Sequence, residues 1–257
     1  MLTLATWNVN SIRARVDLLG WFLEERSPDV LCVQETKVED GKFPEAIFER
    51  SGYRVVHWGV SAWNGVAIAS RLPMDRVERG IAGDGVGEAR AIAATIAGVR
   101  VFSLYVPNGR ALDDPHFVYK LEWLSHLLAV VKDQPAPMVL AGDFNVAPAD
   151  VDVYDPTALA GATHVSAPER RAIAQLLEVG LVDCASRQEL ESPRFTWWDY
   201  RQGAFRRDMG MRIDLVLASA SLLQPSVEYR VDVEARRAAK PSDHAPVLVS
   251  FGGWSGG

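Results

Sequence analysis

Cysteine is scarce in this 257-residue chain, with Cys32 and Cys184 its only two. A pair cannot build a disulfide framework, and Cys32 lies within the apolar run Val30-Leu31-Cys32-Val33, where a small buried thiol is a better reading than a ligand or a bridge. A reducing, cytoplasmic compartment is expected. Long apolar runs are missing although 48% of the residues are hydrophobic, so neither a spanning helix nor a membrane partner is expected. Met1 to Val9 lacks the basic start and extended apolar stretch of a signal peptide, which argues against export. His57, His116, His126 and His164 show no zinc-ligand spacing and are assigned surface or packing roles. A basic excess is lacking too, the formal net charge being -6. Taken alone this argues against a polyanionic partner, whose phosphates need Lys and Arg for neutralisation. An enzyme that turns over needs only a local basic rim, and a bound metal would offset part of the acidic excess. Arg201, Arg206 and Arg207, between Arg194 and Arg212, supply such a rim, although a charge run reads first as a solvated loop.

What is present is a chain of buried-type strands with interspersed helices. Leu2 to Val9 and Asp29 to Gln34 are β-type runs, and Ile12, Val16, Leu19 and Leu23 recur between them at helical spacing. Asp114 before Pro115 forms a cap and first-turn pair for a second helix, with Phe117, Leu121, Leu124, Leu128 and Val131 on one face. Ser166 with Glu169 resembles a capping box ahead of Ile173, Leu176 and Leu177, in a third helix that stops at Gly180. Strands are expected at 54–57, 65–70, 89–96, 99–106, 137–141, 213–218, 227–231 and 247–251. Too many of them lack an intervening helix for a doubly wound sheet, which favours two packed sheets with helices outside. One domain spanning 1–251 is expected, followed by a fraying tail at 252–257.

Four polar clusters close these strands: Asn8 with Asn10, Gln34-Glu35, Asp143-Phe144-Asn145, and Ser242-Asp243-His244. Carboxylates and amides at the ends of apolar strands are costly unless a metal or a hydrogen-bond network compensates them. Glu35, ending a parallel-type strand, is a hard oxygen ligand suited to magnesium. Asp143 and Asn145, two positions apart, share a face, so the acid can hold or deprotonate water while the amide contacts a phosphate oxygen. The same residues also favour a turn. An imidazolium at His244 would offset charge on a phosphodiester, provided an acid keeps it protonated and oriented. Asp214 and Asp243 are both candidates for that acid.

The strings Trp7-Asn8-Val9-Asn10-Ser11-Ile12-Arg13, Gln34-Glu35-Thr36-Lys37, Tyr105-Val106-Pro107-Asn108-Gly109, Gly142-Asp143-Phe144-Asn145, Arg212-Ile213-Asp214 and Lys240-Pro241-Ser242-Asp243-His244-Ala245-Pro246 resemble the motif set of exonuclease III. That family is the bacterial branch of the endonuclease/exonuclease/phosphatase superfamily. The resemblance implies a deoxyribonuclease I-like, four-layered α/β sandwich of two mixed sheets flanked by helices. It implies a monomer that requires magnesium, with manganese as the alternative ion. The implied activities on double-stranded DNA are incision 5′ to abasic sites, 3′ to 5′ exonuclease action and removal of 3′ phosphates.

Carried over by motif, Glu35 would bind the metal with Asn8 close by and Asp243 supporting it through water. Asp143 would activate the attacking water, with Asn145 and Tyr105 on the scissile phosphate and Asn108 adjoining. His244 would stabilise the developing charge, oriented by Asp214, with inversion at phosphorus. Trp197, Met211 and Ile213 would line a pocket for a sugar lacking its base, with Arg212 and Arg110 as further substrate contacts. Trp198 and Tyr200 have a competing reading as core residues. Asn10 stands where some relatives carry Asp, which argues against a second metal site. Two rivals remain. One is a superfamily phosphodiesterase or phosphatase with another substrate, and the other is a silent DNA-binding paralogue, which would have no reason to keep Glu35, Asp143, Asn145, Asp214 and His244.

Overall fold

The computed structural model of the chain describes residues 1–60, 62–83, 87–134, 137–187 and 195–254. Because apolar side chains alternate with period two along strands buried on both faces, each strand can feed two cores at once. In Leu2–Asn8, Leu4 points into one hydrophobic cluster while Ala5 and Trp7 point into another. The first six-stranded sheet runs Val227–Val231, Val247–Phe251, Leu2–Asn8, Val30–Gln34, Val66–Ser70, Arg54–Trp58. The second runs Met74–Arg79, Ala91–Ile96, Val99–Tyr105, Met138–Asp143, Asp214–Ser219, Leu181–Asp183. Residues of both sheets, among them Cys32, Ile68, Val101, Val139, Val216 and Val249, pack into one inner core. Helices Val16–Glu25 and Glu45–Arg50 cover the outside of the first sheet, and Pro115–Lys132 and Ala167–Glu178 cover the second. This is the four-layered α/β sandwich expected.

Both expected caps form. The Asp114 carboxylate accepts from His116 N, and Ser166 with Glu169 closes a reciprocal capping box. The second helix is rotated from its expected face: Trp123 and Leu127 are fully buried, whereas Leu121 and Leu128 are half-buried. Strand Met74–Arg79 escapes a hydrophobic-pattern reading because it is an exposed edge of polar and charged residues, as edge strands commonly are. Residues 252–254 of the expected tail pack against the fold. Trp254 is buried against Phe251, and Gly253 N donates to Leu222 O, while 255–257 lie outside the described residues. Both cysteines are free and buried. Among the described residues, no helix is long and apolar enough to cross a membrane.

Candidate active site

Two parallel pairings bring the polar clusters to one end of the sandwich. Asn8 pairs with Gln34 in the first sheet and Tyr105 with Asp143 in the second, while Asp214 lies opposite Asp143 on the antiparallel side. Gly142 makes the second pairing close: a Cβ there would sit 1.9 Å from Leu104 O. Gln34 braces the two sheets, donating to Ser103 Oγ and accepting from Thr6 Oγ1. A last segment joins from the C-terminal side. Trp7 Nε1 donates to His244 O and Ser242 Oγ donates to Asn8 O, so the Ser242-Asp243-His244 segment is tied to the first strand at two points. Glu35 and Asn145 both stand at left-handed φ, 51° and 52°, a conformation that collects at functional sites.

Around a cavity of about 180 Å³ lie Glu35, Tyr105, Asn108, Asp143, Asn145, His164, Trp197, Met211, Ile213, Asp243 and His244. The Asn8 amide donates to Glu35 Oε1 at 2.8 Å and to Asp143 Oδ2 at 2.9 Å, strapping the two carboxylates together. Its oxygen accepts from Asn10 N at 3.0 Å, so Asn8 sits beside the carboxylate pair as a strap. His244 Nδ1 donates to Asp214 Oδ2 at 2.8 Å, and its Nε2 lies 3.9 Å from Asp143 Oδ2. The orienting acid is therefore Asp214. Asp243 instead accepts from Asn10 Nδ2 and Trp197 Nε1, at the cavity rim.

Electrostatics separate the roles. Burial, reinforced by Asp214 and Glu35 and opposed by His244, pushes the Asp143 carboxyl up to about 7. Burial works against a charge on His244, but Asp214 overcomes it and, with Asp143 and Asp243, raises the imidazole to about 10. His244 is thus held as a cation at neutral pH. Burial, with Glu35 and Asp143 nearby, pushes the Tyr105 hydroxyl well above its usual value, so it remains a donor. Glu35, Asp143 and His244 present atoms within 4.8 Å of one another, the one such group among the described residues. Two strapped carboxylates of this kind fit a hard divalent cation, although Glu35 Oε2 also meets Lys37 Nζ at 2.7 Å. Asn10 bridges Asp243 and Lys37, which keeps a second acidic pair from forming there.

A model of the endonuclease/exonuclease/phosphatase family matches residues 5–244, nearly the whole of the fold just described. The chain belongs to that family. It is 33% identical to an exodeoxyribonuclease of Bacillus subtilis over 96% of this chain and 98% of the relative. Among solved structures, the 3′ phosphatase NExo from Neisseria, bound to a product DNA hairpin, superposes with a TM-score of 0.94 at 40% identity, covering 98% of this chain and 99% of that one. An AP endonuclease from Archaeoglobus fulgidus matches with a TM-score of 0.94 at 41% identity, covering 98% of this chain and all of that one. The family member thus has its cavity where the exonuclease III motifs converge.

Arg212 departs from its expected role as a substrate contact. It is buried, and its guanidinium forks onto Asp152 at 2.7 and 3.0 Å and Asp183 at 3.2 and 2.8 Å, tying the 3-10 turn Asp150–Asp152 to the end of strand Leu181–Asp183. Replacing it with Met strands two buried carboxylates, so Arg212→Met is expected to cost about 3–5 kcal/mol of stability, read as a lowered urea midpoint. An unchanged midpoint with a raised KM would return it to the substrate. Arg110 is exposed, and its backbone N–H donates to Asn108 Oδ1. Trp198 is core, but Tyr200 is half-exposed, its hydroxyl meeting Arg15 and Pro241 O. Arg201, Arg206 and Arg207 are exposed, and Arg194 lies outside the described residues.

His164 departs from its expected surface or packing role, and Arg90 and Lys120 are participants that escaped the sequence reading. His164 lines the cavity, with Nδ1 on Asn145 O at 2.5 Å, and burial holds its ring neutral, down to about 4. Arg90 stacks on the Tyr105 ring at 4.9 Å. Lys120 is wholly buried beneath Asn145. Its signal was a lysine set within the apolar stripe of a helix, three residues after Phe117 and four before Leu124.

Proposed function

We propose that this protein is a DNA-repair nuclease of the exonuclease III type, hydrolysing phosphodiesters 5′ to abasic sites and trimming 3′ ends as exonuclease and phosphatase. It is a hydrolytic member of its family. The observation that carries the reading is the convergence of Glu35, Asp143, Asn145 and His244 on one small polar cavity, with Asp214 behind His244. The relatives' activities agree, as does the DNA hairpin held by the Neisseria structure.

Asp143 accepts a proton from the attacking water, for which a carboxyl near neutrality is well matched. Asn145, Tyr105 and the His244 imidazolium offer donors to the phosphate oxygens, and Asp214 keeps His244 charged and aimed. Magnesium, held by Glu35 beside the Asn8 strap, would neutralise charge on the phosphate. Trp197, Met211 and Ile213 form the apolar wall on which a sugar would rest. The exposed arginines 201, 206 and 207 give the polyanion a local counter-charge despite the overall excess of acid. The proposed setting is the cytoplasm and the working form a monomer.

The test presents three duplexes, one with an abasic analogue, one with a 3′ phosphate and one with a recessed 3′ end. Magnesium is expected to support all three reactions, and chelator to abolish them. Cutting that survives chelation would sink the mechanism, and inertness on all three with activity on a small phosphomonoester would favour another superfamily substrate.

A further inference from the structure

We propose that Lys120 and Glu169 act as a positioning pair for Asn145, holding its amide in register for the phosphate. This inference rests on the nuclease reading above and assigns a task to two residues outside the cavity lining.

Asn145 has an unusual conformation to maintain. It stands at φ 52°, two residues beyond strand Met138–Asp143. Its backbone oxygen accepts from Lys120 Nζ at 2.6 Å and from His164 Nδ1 at 2.5 Å. Its side-chain amide donates to Val106 O at 3.0 Å and its side-chain oxygen accepts from Asn108 Nδ2 at 3.2 Å. One amide hydrogen remains for a phosphate oxygen. The backbone clamp and the side-chain contacts together fix where that hydrogen lies.

The clamp is an ion pair with no exposed surface. Lys120 Nζ also meets Glu169 Oε1, and both side chains are fully buried. Glu169 gathers the loop that closes over the site: Oε1 accepts from Thr163 Oγ1 and His164 N, each at 2.9 Å, and Oε2 accepts from Ser166 N and Oγ. One pair therefore ties the strand end bearing Asn145 to the loop bearing His164.

Stability alone does not call for this arrangement. Lys120 sits in the stripe formed by Phe117, Trp123, Leu124, Leu127 and Val131, where an apolar side chain packs without the desolvation that a buried ion pair incurs. What lysine adds is a charged donor aimed at one carbonyl.

The experiment is a double-mutant cycle between Asn145→Ala and the neutral replacement Lys120→Met with Glu169→Gln, which leaves no buried charge unpaired. Single-turnover rates and KM on the 3′-phosphate duplex, magnesium affinity and thermal melting are measured. The paired replacement is expected to retain its melting transition and to lose about 100-fold in kcat, the scale of a misplaced catalytic group, with KM within about threefold. In the Asn145→Ala background the same replacement is expected to cost less than about threefold more, because the two act through one group. Lys120→Arg, which keeps a charged donor, is expected to recover part of the rate. If the paired variant melts, Lys120→Arg, which leaves Glu169 its partner, serves in its place with an expected loss of about 10-fold in kcat. Unchanged kcat, or losses that multiply fully in the cycle, would overturn the positioning role. An Asn145→Ala enzyme with full activity would instead refute the nuclease assignment of that residue.

Discussion

Asp143→Asn is expected to lower the cleavage rate by about 10³–10⁴-fold, the scale of losing a general base in a preorganised site, while duplex binding persists. The replacement is nearly isosteric, but its NH2 would face the Asn8 amide that donates to Oδ2 at 2.9 Å, so that strap loosens while the backbone frame holds. Its side-chain oxygen can still accept from Asn145 N, as Oδ1 does at 2.9 Å, and the strand register with Tyr105 and Asp214 involves only backbone. What disappears is the group able to take a proton near neutral pH, since an amide has no such capacity. Removing a negative charge beside Glu35 and Asp214 also reduces repulsion toward a phosphate, so affinity for DNA should hold or rise. Gel-shift titration in chelator and single-turnover cleavage in magnesium separate the two effects. Loss of binding in step with loss of rate would make Asp143 a structural residue, and a loss under about tenfold would transfer the role of base elsewhere.

Much of this site was legible because its residues violate a strand's apolar pattern at the strand end. Asn8, Glu35, Asp143 and Asp214 each interrupt or begin a buried run, and the folded chain gathers all four around one centre. The fold was legible for the same reason, since continuous apolar strands without crossover helices leave two stacked sheets as the economical packing. Polarity within elements was harder to read. Strand Met74–Arg79 carries charge because an edge needs it, and Lys120 breaks an apolar stripe because it serves a carbonyl that only tertiary structure supplies. Arg212 shows the opposite error: adjacency to Met211 and Ile213 in sequence placed it with substrate, yet alternation along the chain turns it inward, away from their cavity, to Asp152 and Asp183. His164 had no spacing to mark it, and its place follows from Glu169 gathering the loop. The choice between Asp214 and Asp243 as orienter required a distance.

Asp214→Asn is expected to reshape the pH profile as well as lower its height, which distinguishes an electrostatic partner from a packing residue. The working form needs Asp143 ionised and His244 protonated. Activity therefore falls on the acid side as pH drops through the Asp143 value, about 7, and on the alkaline side as pH rises through the His244 value, about 10. A cation at Glu35 would favour the ionised form of Asp143 and move the acid limb below 7. The alkaline limb stands high because Asp214, 2.8 Å from Nδ1, overcomes the penalty of burying an imidazolium. With Asn at 214 that compensation is lost while burial still opposes the charge, so the limb moves down by several pH units toward or below the ordinary histidine value of about 6.5. Near pH 8 the variant would hold only a few percent of its His244 in the charged form, about a 30-fold loss before any misorientation. With the ring also freed to turn, the combined loss in kcat/KM is expected to be about 10²–10³-fold at pH 8, and distinctly smaller at pH 6, where the imidazole regains its proton. A loss of equal size from pH 6 to pH 9 would mean that Asp214 only positions the ring, and that the charge on His244 does not depend on its partner.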